Sequence, residues 1–368
     1  MQAANQKLLM KELESLIETC AISESDLEAL RVAPLENAMG IEEIETALVT
    51  LYKAMNKIDP TMGSSSIEAR KSEDESGDQS ATLNSDYGKM RIVREKKEMY
   101  ITESKLFMRR LVEFMARQFD EAFKATQSAL DGALSKKVDS RNHEAGRDRL
   151  WMYGPLILYA RDADLDNWDR IIQVYQDKSH PIYRTEFRQV MDSWKKNARK
   201  PTGEESELLF TSLQEKKEEG IATTARKLTV KRSQTLARSL RSPLGEGSRT
   251  SLDKTSDSRA LQFEIFAGVV DDLLPLAEME QNFITDFFHA TTLGQMDFPD
   301  LVAAARPKDR RGNDLKRHRV MEPDRELARR VTRAMEVIFN FLEPSLQQLI
   351  DWVLSIDPLY VQLTHLLY

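Results

Sequence analysis

Apolar residues return at helical intervals along most of this chain, most densely between Ala260 and Leu293. There Leu261, Ile265, Val269, Leu273, Leu276, Phe283 and Phe287 lie three, four or seven apart, the spacing of one helical stripe. A second set, Phe263, Phe266, Val270, Leu274, Ala277, Ile284 and Phe288, widens the stripe until little polar surface is left, which predicts a helix wrapped by others. Unbroken, it would be about 51 Å long. Pro275 removes a backbone donor and clashes with the preceding turn, so a kink is expected there.

The same reading applied from the start of the chain divides it into six stretches. Residues 1–19 carry Leu8, Leu9, Leu13, Leu16 and Ile17 on one narrow seam, the end of a coiled coil. Residues 20–58 form a short helical segment: Ser23 or Ser25 caps a brief helix stopped by Pro34, and Ile41, Ile44, Leu48, Leu51, Tyr52 and Met55 mark a second helix. Residues 59–88, acidic and Ser-rich, have too few large apolar side chains to offset their ordering entropy and are expected to be a disordered linker. Residues 89–218 are expected to form a first bundle. It begins with a long helix over 89–134 whose stripe is Ile92, Met99, Leu106, Leu111, Phe114, Met115, Phe119 and Phe123. Gly154-Pro155 should bend or divide the next segment, and Ser179 is placed as a cap before Pro181. Residues 219–258 read as a second disordered linker, basic and rich in Ser and Thr, and 259–368 as a second bundle, ending inside an apolar pattern as a truncated one would. No run alternates long enough to argue for a sheet. The expected fold is all-α, an elongated rod of stacked helical bundles with two disordered linkers.

Composition narrows the class. The chain has 41% hydrophobic and 31% charged residues, 14 glycines and 12 prolines, which suits a charge-rich helical protein. No apolar run approaches the roughly 20 residues of a spanning helix. Cys20 is the single cysteine, which excludes an internal disulfide or a cysteine-based zinc cluster and agrees with a reducing compartment. A net charge of −7 argues against whole-chain nucleic-acid binding.

The chemistry-bearing motifs are absent: no phosphate loop, dinucleotide fingerprint, HExxH or GxSxG is present. The five histidines are scattered without metal-ligand spacing, and His289 reads as a cap or half-buried packing residue. Asp162, Asp164 and Asp166 resemble the start of an EF-hand loop, but Asn167 stands where the turn needs glycine and Gln173 where it needs a bidentate Glu. The plainer reading is a loop whose aspartates cap the following helix. Aromatic residues at helix spacing read as core. No catalytic residue, cofactor or metal site is expected.

Charge is uneven. Across 220–258 there are eight Lys or Arg against three Asp or Glu. Three readings stand for this linker: a solvated segment, a phosphorylation target, and a contact with anionic lipid. Lys231, Arg232, Arg238 and Arg241 supply the positive charge, and Ser242-Pro243 fits a proline-directed kinase whose phosphate would erase much of that field. The basic loop Arg306–Arg319 could add to it. No aromatic lies within Arg226–Arg241 to stack on bases.

Several segments, taken in order, resemble the C-terminal region of the Sec-three type of exocyst subunit in a fungal-like form: NQKLLMKELESLIETCAISESDLEAL, APLENAMGIEEIETALVTLYKAM, MRIVREKKEMYITESKLFMRRLVEFM, WMYGPLILYARDADLDNWDRIIQVY and ALQFEIFAGVVDDLLPLAEMEQNFITDFFH. The resemblance rests on packing residues. It implies a non-enzymatic, structural subunit of the complex that tethers secretory vesicles to the plasma membrane before SNARE-mediated fusion. It also implies a cytoplasmic protein peripheral at sites of polarized secretion, pairing with other exocyst subunits through coiled coil and rod. Phosphoinositide and Rho GTPase binding belong to the family's N-terminal pleckstrin-homology-like module, which this chain is expected to lack. A membrane-surface adaptor acting through the basic segments and a helical regulator of a small GTPase are the alternative readings.

Overall fold

The computed structural model describes residues 2–59, 90–132, 139, 141–198, 262–294, 296–316 and 324–356. The linker 219–258, and the linker 59–88 beyond Asp59, lie outside the described residues. Among the described residues every regular element is helical, so the fold is all-α. The helices are α1 (Gln2–Cys20), α2 (Glu28–Val32), α3 (Ala38–Ile58), α4 (Arg91–Gly132), α5 (Arg141–Arg147), α6 (Gly154–Ala163), α7 (Leu165–Lys196), α8 (Gln262–Phe287), α9 (Phe298–Ala304), α10 (Arg325–Ile338) and α11 (Leu342–Ile356). Short 3-10 turns at Leu150–Tyr153 and Pro307–Asp309 join them.

The chain splits into two compact units, residues 1–192 with 269–348 and residues 193–268 with 349–368. In the larger unit α8 packs against α4 and α7, with Phe287 against Phe119 and Phe283 against Tyr175. In the smaller unit Trp194 fills the space beside Gly268, where a Cβ would stand 2.4 Å from the indole. Lys195 sits over the Trp352 ring at 5.6 Å there.

In the larger unit α4 is the longest element. Its 42 residues make it about 63 Å long, with no proline to interrupt it. Its buried seam is Val93, Tyr100, Phe107, Met108, Leu111, Phe114, Met115 and Phe119. The C-terminal half agrees with the expected stripe. The N-terminal half is rotated by one residue, so Ile92 and Leu106 are exposed.

Around this helix two aromatic clusters form. Tyr52 of α3, Phe107 of α4, Tyr159 of α6 and Phe298 of α9 meet with centroids 5.3–6.4 Å apart. Phe119 of α4, Tyr175 of α7, and Phe283, Phe287 and Phe288 at the end of α8 form the other, with Trp151 against Phe283 and Phe287. Edge-on and tilted pairs dominate, the arrangement the ring quadrupole favours.

Both internal prolines are carried inside continuous helices. Pro275 faces solvent beside Leu274, which is 64% exposed, so α8 runs through it. Pro181 does not divide α7 either. Ser179, expected as a cap there, is buried and donates to the carbonyl of Gln176 at 3.1 Å, while Tyr175, Tyr183 and Phe187 hold both sides of the proline in the core. Tertiary burial outweighs the lost backbone bond.

Candidate functional site

The end of α8 is fastened by its backbone. His289 takes a left-handed conformation (φ 51°), Ala290 N–H donates to Thr285 O at 2.9 Å and His289 N–H to Asp286 O at 3.2 Å. This is a Schellman termination with histidine where glycine is commonest. The orphan carbonyls are taken from outside the helix: Trp168 Nε1 donates to Phe288 O at 3.1 Å and Arg161 to His289 O at 2.8 Å. The His289 ring is bonded through Nε2 to Gly154 O at 2.9 Å, which assigns the neutral Nε2–H tautomer. Burial pushes its pKa down to about 4, against the pull of the Gly154 carbonyl and with the help of Arg161. The expected packing and capping role is the one observed.

Charged residues also lie in the core. Short α5 comes close enough to α4 that a Cβ on Gly146 would stand 2.3 Å from Ala122 O. That approach delivers Arg147 to α7 and α8, where its guanidinium pairs with Glu280, donates to Tyr183 at 2.8 Å and covers the Phe283 ring at 4.8 Å. One turn earlier, His143 bonds Glu186 at 2.8 Å and stacks on Tyr183. Burial pushes the Tyr175 and Tyr183 phenols well up. It also pulls against the charge on Arg147, but Tyr183 and Glu280 beside it more than reverse this, so its pKa is raised. Arg147 Nη1, Glu280 Oε1 and Tyr175 Oη have no hydrogen-bond partner among the described residues. The cluster ties three helices together.

Glu45 and Arg310 form the second buried pair. Arg310 grips both carboxylate oxygens at 2.6 and 2.8 Å and also donates to Met152 O and Ala305 O. Burial raises the Glu45 pKa while Arg310 opposes it. The basic loop expected to add to the positive field is therefore anchored through Arg310. Arg306, Lys308, Arg311 and Lys316 remain exposed.

Sequence reasoning missed these four charged residues because charge was equated with exposure. A signal existed for Glu280: it stands four after Leu276 and three before Phe283, on the apolar stripe itself. Asp271 and Glu278, read as the exposed face of α8, are exposed, and Asp272 is half-buried. Asp164 accepts from the Asn167 backbone and side chain at the start of α7, and Asp162 pairs with Arg161, so these two serve capping and pairing. Among the described residues no group of three or more His, Cys, Asp or Glu could hold a metal. Lys231, Arg232, Arg238, Arg241 and Ser242 lie outside the described residues.

The most unusual surface is apolar. On α1, Leu9, Met10, Leu13 and Ile17 are 40–65% exposed, while Leu16 and Thr19 face inward. The helix is held at its C-terminal end: Tyr100 of α4 donates to Thr19 O at 2.6 Å and Lys96 to Ile22 O at 2.8 Å. Beyond that clamp these four apolar side chains stay exposed. Residues 1–57 match the family model "Exocyst complex component Sec3, coiled-coil", and residues 287–366 match "Exocyst complex component Sec3, C-terminal". Together these matches support a Sec3-type exocyst C-terminal region. Exocyst complex component 1 of Mus musculus is 23% identical over 386 residues, an alignment covering 98% of this chain and 40% of that protein. The chain thus spans two fifths of this relative's length. No solved structure matches it significantly. The Sec3 coiled-coil match covers α1 to α3, and the Sec3 C-terminal match begins at Phe287, where α8 ends. No helix among the described residues is long and apolar enough to cross a membrane.

Proposed function

We propose that the chain is a structural, non-enzymatic part of an exocyst subunit, acting in the tethering of secretory vesicles to the plasma membrane before SNARE-mediated fusion. The observation that carries this reading is the exposed seam Leu9–Leu13–Ile17, on a helix clamped at one end and lying in the Sec3 coiled-coil segment. Left in water, these three half-exposed side chains forgo about 1 kcal/mol or more each that a partner helix would recover. The seam pairs with another exocyst subunit, and the long helices behind it hold membrane-binding and vesicle-binding parts apart at cytoplasmic faces of secretory sites. The test is co-purification of the other exocyst subunits with the full chain and with a Leu9→Asp/Leu13→Asp/Ile17→Asp variant. Loss of the subunits with unchanged circular dichroism is expected. Unaltered recovery, or crosslinks from α1 to no other subunit, refutes the assembly role.

Contact of Lys231, Arg232, Arg238 and Arg241 with anionic lipid, weakened by phosphate on Ser242, is a separate proposal from the charge pattern alone. Liposome binding unchanged by reversing those four charges removes it.

A further inference from the structure

We infer that α4 carries a second docking seam, made of Ile92, Met99 and Leu106, and that its occupant is an amphipathic helix of another polypeptide. Ile92 is 50% and Leu106 44% exposed, with Met99 half-buried between them. Their spacing of seven keeps them on one line, drifting only about 20° per repeat. A straight row at that spacing is the seam a supercoiling helix follows; a sheet edge or a loop has no such period. The row stands one residue before the buried line Val93, Tyr100 and Phe107, so the same turns of α4 face the core on one side and this seam on the other.

Position fixes the partner's path. On the helical wheel the row lies beside Lys96, Glu103 and Arg110. These side chains bond Ile22 O, Arg31, and the carbonyls of Leu30 and Ala33. The seam therefore borders the place where α1 and α2 are fastened to α4. Val32, 66% exposed, follows Arg31 there. On this inference a helix that pairs with Leu13 and Ile17 continues past the Thr19–Tyr100 and Ile22–Lys96 contacts onto Ile92, Met99 and Leu106. The seam is thus a continuation of the α1 interface, and the inference rests on the reading of α1 given above. This chain does not supply the occupant from the segment leading into α4: residues 60–89 carry few large apolar side chains and no heptad.

The test places a photo-crosslinking phenylalanine analogue at 92, 99 or 106 of the full chain, and at exposed Glu98 or Lys105 as controls, within assembled complexes. Adducts are expected at the three seam positions and not at the controls, mapping to a peptide of another polypeptide with apolar residues three and four apart. Adducts to a second copy of this chain, to this chain itself, or equally at the controls overturn it. In parallel, Ile92→Asp/Leu106→Asp should lower recovery of partner subunits about tenfold or more with unchanged helicity. No effect of this variant beside a loss in the α1 variant overturns this seam alone; no effect of either overturns both readings.

Discussion

The Tyr183 hydroxyl donates to the Glu280 carboxylate at 2.6 Å, in a site where Glu280 is fully enclosed. Tyr183 also accepts from Arg147, so one carboxylate, one phenol and one guanidinium share a buried hydrogen-bond triangle.

Breaking that triangle from one side leaves a buried charge without its counterpart. Glu280→Ala or Arg147→Ala should each destabilise the fold by about 3–5 kcal/mol. Replacing both, as in Arg147→Met/Glu280→Leu, should cost much less, because no lone charge remains. Urea unfolding of the three variants distinguishes these outcomes, and equal losses in all three contradict the account.

At the other buried pair, Arg310→Lys should not rescue what Arg310→Ala loses. A lysine cannot grip both Glu45 oxygens while also serving Met152 O and Ala305 O. Hydrogen exchange of residues 305–316 should rise in both variants, with the change confined to that loop in the lysine form. Unchanged protection there argues against Arg310 as its anchor.

His289 makes stability depend on pH. Its folded pKa of about 4 lies below the unfolded value, so the unfolded chain binds more protons between the two. The contribution is complete above about pH 6.5, falls as acid approaches pH 4, and is on the order of 3 kcal/mol in full. Urea midpoints at pH 7.5 and 5.0 should therefore differ more for the wild-type chain than for His289→Asn, in which asparagine tolerates the left-handed backbone. Identical pH differences would exclude His289 as the source.

The two faces of α1 should respond unequally to the same substitution. Leu16→Asp, on the 9%-exposed side, should loosen α1 from the bundle and lower stability by about 2 kcal/mol or more. Leu13→Asp, at 40% exposure, should leave the melting temperature nearly unchanged. Differential scanning calorimetry of the pair reads this directly.

How much of this the sequence discloses depends on the kind of force involved. The all-α class and the length of α4 were legible, because hydrophobic period and the absence of proline act locally. The register of α4 was half legible. Ile92–Met99–Leu106 and Val93–Tyr100–Phe107 are adjacent rows of seven-spaced apolar residues, and only the neighbours packed against them decide which is inside. Pro181 misled for a similar reason, since the packing of Tyr175, Tyr183 and Phe187 offsets a local penalty. Arg147, Glu280, Glu45 and Arg310 were hidden because each is buried only by virtue of a partner distant in the chain.

The clamp at the base of α1 turns small local changes into large distant ones. Tyr100 and Lys96 hold Thr19 O and Ile22 O, and the 19-residue helix beyond them is a stiff arm about 28 Å long. A tilt of about 10° at the clamp moves the arm's far tip by about 5 Å, close to the 5.4 Å pitch of one helical turn. Under the pairing proposed above, a substitution at position 96 or 100 would therefore displace a helix docked on α1 by several ångströms while leaving every residue of the seam unchanged.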